Sequence, residues 1–256
     1  MDSKMTQRGG HPGPGSGDVV LVGRIGVHAL ESMEHALDAI FEADGSVRPG
    51  FAVAVNPEKV LLTEREAQLR ELIDRATLRY ADGIGVVLAM RSKGASVVRI
   101  PGCELWERVM ARAAAEQVPV FLIGATPETL AAAKARLIAR FPGIRIVGSR
   151  DGYFSPEEKA ELFVEVRESG AKIVTVAMGS PRQERLIDEL RRSCPAAFYM
   201  GVGGTYDVFA GVVARAPAWA RRFNIEWLYR LVSEPKRITR QRHLVRFAAR
   251  LAFGRL

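Results

Sequence analysis

The chain has 256 residues, 48% hydrophobic and 7% aromatic, with a formal net charge of +8 and two cysteines. That length holds one full core or two tightly packed subdomains, and Cys103 and Cys194 form neither a disulfide framework nor a metal-ligand spacing, so a reducing cytoplasm is the expected compartment. No apolar run approaches the roughly 20 residues that a membrane span requires.

Residues 1–17 are rich in Gly, Pro and Ser and lack an apolar centre, so they read as a disordered leader and not as a signal peptide. The first candidate strand is VVLVG (19–23), and the second is FAVAV (51–55), which runs into NPE at 56–58. RYADGIGVV (79–87) follows, where one helical segment gives way to another and Asp82 stands between a small residue and a glycine. Beyond it, helical patterns at 104–116, 127–140, 156–168 and 181–192 alternate with apolar runs. These runs are VPVFLIG (118–124), IRIVG (144–148), KIVTVAM (172–178) and AAFYMGV (196–202). Continuous apolar strands separated by helices of this length predict an α/β fold. The sheet is Rossmann-like and mostly parallel, with helices on both faces, over an 18–218 core. ATPET and FSPEE each place Ser or Thr before Pro and acidic residues, which predicts helix starts at both. No internal repeat is present.

Ligands of such folds bind at the carboxyl ends of the strands. Here those ends carry Gly, Asn, Ser, Thr and Asp: NPE, GAT (124–126), GSPRQE (179–184) and GVGGTYD (201–207). Helix N-termini opened by Gly124, Gly179 and Gly203 suit a phosphate or diphosphate, although every α/β turn also needs glycines and caps. Other chemistries find little support. The four histidines make no HExxH, and no Asp-x-Asp pair is present to hold a divalent ion on a diphosphate. GVGGTY lacks the third glycine of a dinucleotide fingerprint, and neither a Gly-x-Ser-x-Gly elbow nor a Cys/His pair stands out. Candidate polar groups remain at strand and loop ends: Asn56, Asp82, Arg99, Tyr153, Gln183 and Asp207. An aromatic ring plus a carboxylate suits a nucleoside. The plainer alternatives are packing for Tyr153, a solvated surface for Gln183, and an Asp-Gly turn or helix cap for Asp82.

Taken together, VNPEK, YADGIGVV, VFLIGATPE, VGSRDGYF, TVAMGSPRQE, YMGVGGTYDVFAG and RAPAW…EWLYRLVSEPKRITRQ resemble, in that order, the WecG/TagA/CpsF family of bacterial glycosyltransferases. The detail is most similar to the WecG branch, the N-acetylmannosaminuronic acid transferases of enterobacterial common antigen synthesis. The resemblance implies an inverting transfer that needs no metal and no cofactor. The sugar would pass from a UDP donor to N-acetylglucosamine on undecaprenyl diphosphate at the inner face of the cytoplasmic membrane. It implies Asp82 as the base, with Gln183, Arg99 and Asn56 in the same site. Tyr153 and Asp207 match the family's uridine contacts, and Arg230, Arg237 and Arg240 its tail arginines. One departure is Ala54, which stands where some members carry Thr. Other donors remain open, UDP-N-acetylmannosamine and UDP-glucose types among them, and so does a membrane-tethered nucleotide-binding protein without turnover.

The charge is concentrated at one end. Residues 219–256 hold 10 basic and 2 acidic residues, an excess of 8 that accounts for the whole net charge and leaves the rest neutral. On a helical wheel Arg242, Arg246 and Arg250 form one stripe with Lys236 beside it, opposite an apolar arc that includes Ile238, Leu244, Phe247 and Leu251. Arg237 and Arg240 fall inside that arc, a costly placement unless an anion such as a lipid diphosphate meets them. The segment therefore reads as a basic amphipathic appendage lying on an anionic membrane, with nucleic acid the weaker alternative. A homo-oligomer remains possible on this reading.

Overall fold

The computed structural model describes residues 18–214, 217, 246–254 and 256. The described residues open with a hairpin: β1 (Val19–Val22) pairs antiparallel with β2 (Ile25–His28) through the two-residue turn Gly23-Arg24. Then come α1 (Met33–Asp38), β3 (Gly50–Val55), α2 (Pro57–Leu62), α3 (Ala67–Asp74), β4 (Leu78–Ala81) and α4 (Ile84–Arg91). The second half continues with α5 (Gly102–Ala115), β5 (Pro119–Gly124), α6 (Pro127–Arg140) and β6 (Arg145–Arg150). It closes with α7 (Pro156–Glu168), β7 (Ile173–Ala177), α8 (Arg182–Ser193), β8 (Phe198–Gly201) and α9 (Thr205–Ala210). A last helical stretch covers 246–252.

Strands β3 to β8 form one sheet in the order β4-β3-β8-β7-β5-β6, and every neighbouring pair is parallel. Successive side chains of a strand point to opposite faces, so a sheet covered on both sides needs apolar residues at every position. The central strands meet that demand. Phe51, Val53 and Val55 of β3, and Val174 and Val176 of β7, enter one buried layer with residues of α2, α3, α4, α7 and α8. Ala52 of β3, Ile173 and Ala177 of β7, and Phe198 and Met200 of β8 enter the other, with residues of α1, α5, α6 and α9.

Two expectations change. VVLVG is a strand, but it belongs to the separate hairpin and not to the parallel sheet. The stretch before Asp82, expected to end a helix, is the edge strand β4. The helix starts are as expected: Thr126 caps α6, and Ser155 with Glu158 closes a reciprocal capping box on α7, each before a Pro in the first turn. The appendage expected at 219–256 lies outside the described residues except for 246–254 and 256.

Candidate functional site

Because the six strands run one way, their carboxyl ends open on one edge. β5 continues to β6 on one side and β7 continues to β8 on the other, so the crevice between β5 and β7 is the switch point where such sheets receive ligands. Gly124 closes its floor with φ +111°, and a Cβ there would stand 2.3 Å from the carbonyl oxygen of Ala177. Only glycine fits. The next residue, Ala125, donates its N–H to that same carbonyl (2.9 Å), which keeps the turn against β7. Gly179 leaves β7 with φ +72° and its carbonyl accepts the Gln183 N–H (2.9 Å), opening α8 on the opposite lip.

Asn56, Asp82 and Arg99 come together at the ends of β3 and β4. The Asp82 N–H donates to the Val55 carbonyl (3.0 Å), continuing the strand pairing one step beyond the sheet. Its carboxylate Oδ1 accepts from the Gly102 N–H (3.1 Å), the first amide of α5, and its carbonyl accepts from Arg99 Nε (2.6 Å). The N-cap of α4 is Gly83, so the half-buried Asp82 side chain serves a distant helix and not its own. A Cβ on Gly83 would lie 2.7 Å from Pro57 Cδ, so the Asp82 and Asn56 turns are in contact. Asn56 caps α2, its Oδ1 accepting from the Lys59 N–H (2.9 Å). Beneath them the Tyr80 hydroxyl is fully buried and has no hydrogen-bond partner among the described residues, 3.0 Å from where a Gly102 Cβ would sit. Burial first, then the Asp82 charge, push its phenol well above the ordinary range, so it stays protonated.

Gln183 is not at the surface: it is 5% exposed. Its Oε1 accepts from the Gly203 N–H (2.9 Å) and its Nε2 donates to Glu184 Oε1 (3.2 Å). The same Glu184 oxygen receives the Lys59 ammonium (2.8 Å), and both partners of that pair are buried. Burial pushes the Glu184 carboxyl up, but the adjacent Lys59 charge and hydrogen bond, together with hydrogen bonds from its own backbone and the Ser180 side chain, hold it below its usual value. Lys59 and Glu184 escaped the sequence reading, although both lie inside the motifs VNPEK and GSPRQE. A signal was there, since each charge falls on the apolar side of its helix, beside Val60 in α2 and three residues before Ile187 in α8.

Tyr153 stands 72% exposed in the loop after β6, which excludes plain packing. That loop is tied to the switch point, because the Gly152 N–H donates to the Ala125 carbonyl (2.9 Å). Asp207 is half-buried in the first turn of α9, after β8. Tyr153 and Asp207 thus follow β6 and β8, with β5 and β7 between those two strands, so they flank the crevice without adjoining each other in the sheet order. Arg230, Arg237, Arg240 and Arg242 lie outside the described residues. Of the expected basic stripe, Arg246 is exposed, whereas Arg250 pairs with Glu64. Phe247, expected on a membrane-facing arc, is instead 2% exposed, and its ring meets Gly85 beside Pro57.

Among the described residues no three His, Cys, Asp or Glu side chains group to hold a metal ion, and no helix is long and apolar enough to cross a membrane. In comparison with known families, the model described as "Glycosyl transferase WecG/TagA/CpsF family" matches residues 20–256.

Proposed function

The chain belongs to the WecG/TagA/CpsF family of glycosyl transferases, and on that premise we propose that it moves an N-acetylmannosamine-type sugar from UDP to a lipid-linked acceptor. The sugar is N-acetylmannosaminuronic acid, and the acceptor is N-acetylglucosamine on undecaprenyl diphosphate at the inner face of the cytoplasmic membrane. In this reading the Asp82 carboxylate takes the proton of the acceptor hydroxyl as that oxygen bonds to the anomeric carbon. The bond from that carbon to UDP breaks on the opposite face, so the configuration inverts. Backbone amides at the crevice, with Arg230, Arg237 and Arg240, meet the charge that collects on the departing UDP. Tyr153 stacks on uracil, and Asp207 accepts from the nucleoside.

The observation that carries the proposal is the setting of Asp82. Its carboxylate is oriented by the α5 amide, its backbone is held by Arg99, and it adjoins the Asn56 turn on the carboxyl edge of the sheet. The test is UDP release by the purified protein from a panel of UDP-sugars, with one synthetic acceptor, N-acetylglucosamine on a short polyprenyl diphosphate. Release dependent on acceptor and confined to N-acetylmannosaminuronic acid supports the proposal in full. Release from N-acetylmannosamine or glucose donors alone corrects the donor. Nucleotide binding without release under every condition rejects the proposed transfer.

A further inference from the structure

We propose that the buried Lys59–Glu184 pair is a positioning device: it holds the Gln183 amide in one orientation and thereby couples the Gly203 loop to the Asn56 turn. This rests on the reading that Asn56, Gln183 and Gly203 serve one site. A continuous run of bonds joins them. Asn56 Oδ1 accepts from the Lys59 N–H (2.9 Å), Lys59 Nζ donates to Glu184 Oε1 (2.8 Å), Gln183 Nε2 donates to the same oxygen (3.2 Å), and Gln183 Oε1 accepts from Gly203 N–H (2.9 Å). The run crosses from the end of β3, through the start of α8 after β7, to the loop after β8.

The reason for an ion pair at this place is the symmetry of an amide. The two ends of a glutamine side chain have nearly the same shape, and only their partners decide which is oxygen and which is nitrogen. The Gly203 N–H demands the oxygen, and a carboxylate, which only accepts, demands the nitrogen. Were Glu184 neutral, its carboxyl could donate as well as accept, and the second demand would vanish. Lys59 keeps it ionised inside the fold. Fit narrows the choice further, because a Cβ on Gly201 would stand 2.6 Å from Gln183 Nε2, so β8 ends in glycine to admit the amide. With one nitrogen proton on Glu184, the other is left as a donor of fixed direction. Stability alone does not account for such a pair, since apolar residues of similar volume are often as stable in a core.

That point supplies the experiment, made on the full-length chain with Glu184→Gln and with the double variant Lys59→Met/Glu184→Leu. Five quantities are read: the unfolding temperature, hydrogen exchange of the Gly203 amide, the Gln183 side-chain amide resonance, and kcat and KM for the UDP-sugar. The double variant is expected to unfold near the wild-type temperature. Its Gly203 amide should exchange about tenfold faster, and kcat should fall by about tenfold with KM little changed, the scale of one misdirected hydrogen bond. Glu184→Gln, which keeps the shape but can donate as well as accept, should shift the Gln183 resonance and exchange in the same direction even if it is less stable. Wild-type exchange and an unmoved Gln183 resonance in both variants would overturn the inference, and so would wild-type kcat in the double variant. If wild type transfers no sugar at all, the failure belongs to the proposed reaction, and exchange and resonance still decide the role of the pair.

Discussion

Asp82 has one observed task and one proposed task, and single atoms separate them. Its Oδ1 accepts from the Gly102 N–H, a task that an asparagine oxygen performs equally well, whereas taking a proton from a hydroxyl requires the carboxylate. Asp82→Asn is therefore expected to keep the unfolding temperature and UDP affinity while turnover falls by about 10² or more. Full activity in that variant would remove Asp82 from the chemistry. Asp82→Ala, which also abandons the Gly102 amide, should lose a further 1 kcal/mol or so of stability. For Tyr153 the 72% exposure means that truncation leaves no cavity, so any effect of Tyr153→Ala reports on ligand alone. Calorimetry with UDP should show about 1–3 kcal/mol of lost affinity for Tyr153→Ala and for Asp207→Ala, the scale of a stack or a charged hydrogen bond. Unchanged binding in both would move the uridine pocket elsewhere. At this scale the sequence named most of the polar residues but not their surroundings. Gln183 sits by a helix start, where a solvated side chain is the ordinary expectation, yet it is buried, with its amide oxygen on the Gly203 N–H, 20 positions later in the chain.

Among the elements, central strands were the most legible, because burial on both faces writes an unbroken apolar run: FAVAV was read at 51–55, and β3 is Gly50–Val55. Edge elements write a weaker signal. Leu78–Ala81 has four residues, one of them Arg79, and nothing in LRYA alternates clearly enough to part it from a helix end. It is a strand because tertiary partners make it one. Arg79 donates to the carbonyls of Asp74 (2.8 Å), Ala76 (2.6 Å) and Gly26 (2.5 Å), and its own N–H reaches His28 Nδ1 (3.0 Å). The hairpin was legible in principle, since Gly23-Arg24 between two apolar pairs is a two-residue turn signal. His28 joins that hairpin to the sheet edge and makes the joint sensitive to pH. Burial, and after it the Arg79 charge, hold its imidazole below the usual 6.5. The unfolded chain takes up this proton near 6.5 and the folded one does not, so stability present at higher pH is lost as pH falls from about that value toward the folded pKa. Urea midpoints should thus drop between about pH 7.5 and pH 5.5 in wild type, and drop less in His28→Asn, whose oxygen can still accept from Arg79. Equal slopes would clear His28 of the effect.

The whole molecule divides its charge between a neutral body and a basic end. A chain ending at Ala218 is expected to bind UDP through the crevice but not to complete transfer, because Arg230, Arg237 and Arg240, proposed to meet the departing UDP, are gone. It should also melt several degrees lower, since Phe247 leaves its place against Gly85 at a cost of about 3 kcal/mol and Arg250 leaves Glu64. Wild-type melting of that shorter chain would mean the docked stretch adds nothing to the fold. Transfer by the full chain should persist in excess EDTA after thorough washing, and activity lost and then restored by magnesium or manganese would overturn the metal-free scheme. The strand order carries one more consequence. β8 lies between β3 and β7, with Gly50 registered on Phe198, so without β8 the strands before it can pair only as two fragments, β4-β3 and β7-β5-β6, each with an open inner edge. On the ribosome the joining strand Phe198–Gly201 appears only after all the other strands of the sheet have been synthesised. Until then the two inner edges are bare templates for pairing with other chains, and their closure is a long-range, intrinsically slow event. Nascent chains halted before β8 should therefore engage chaperones and aggregate, whereas chains released just past α9 should not.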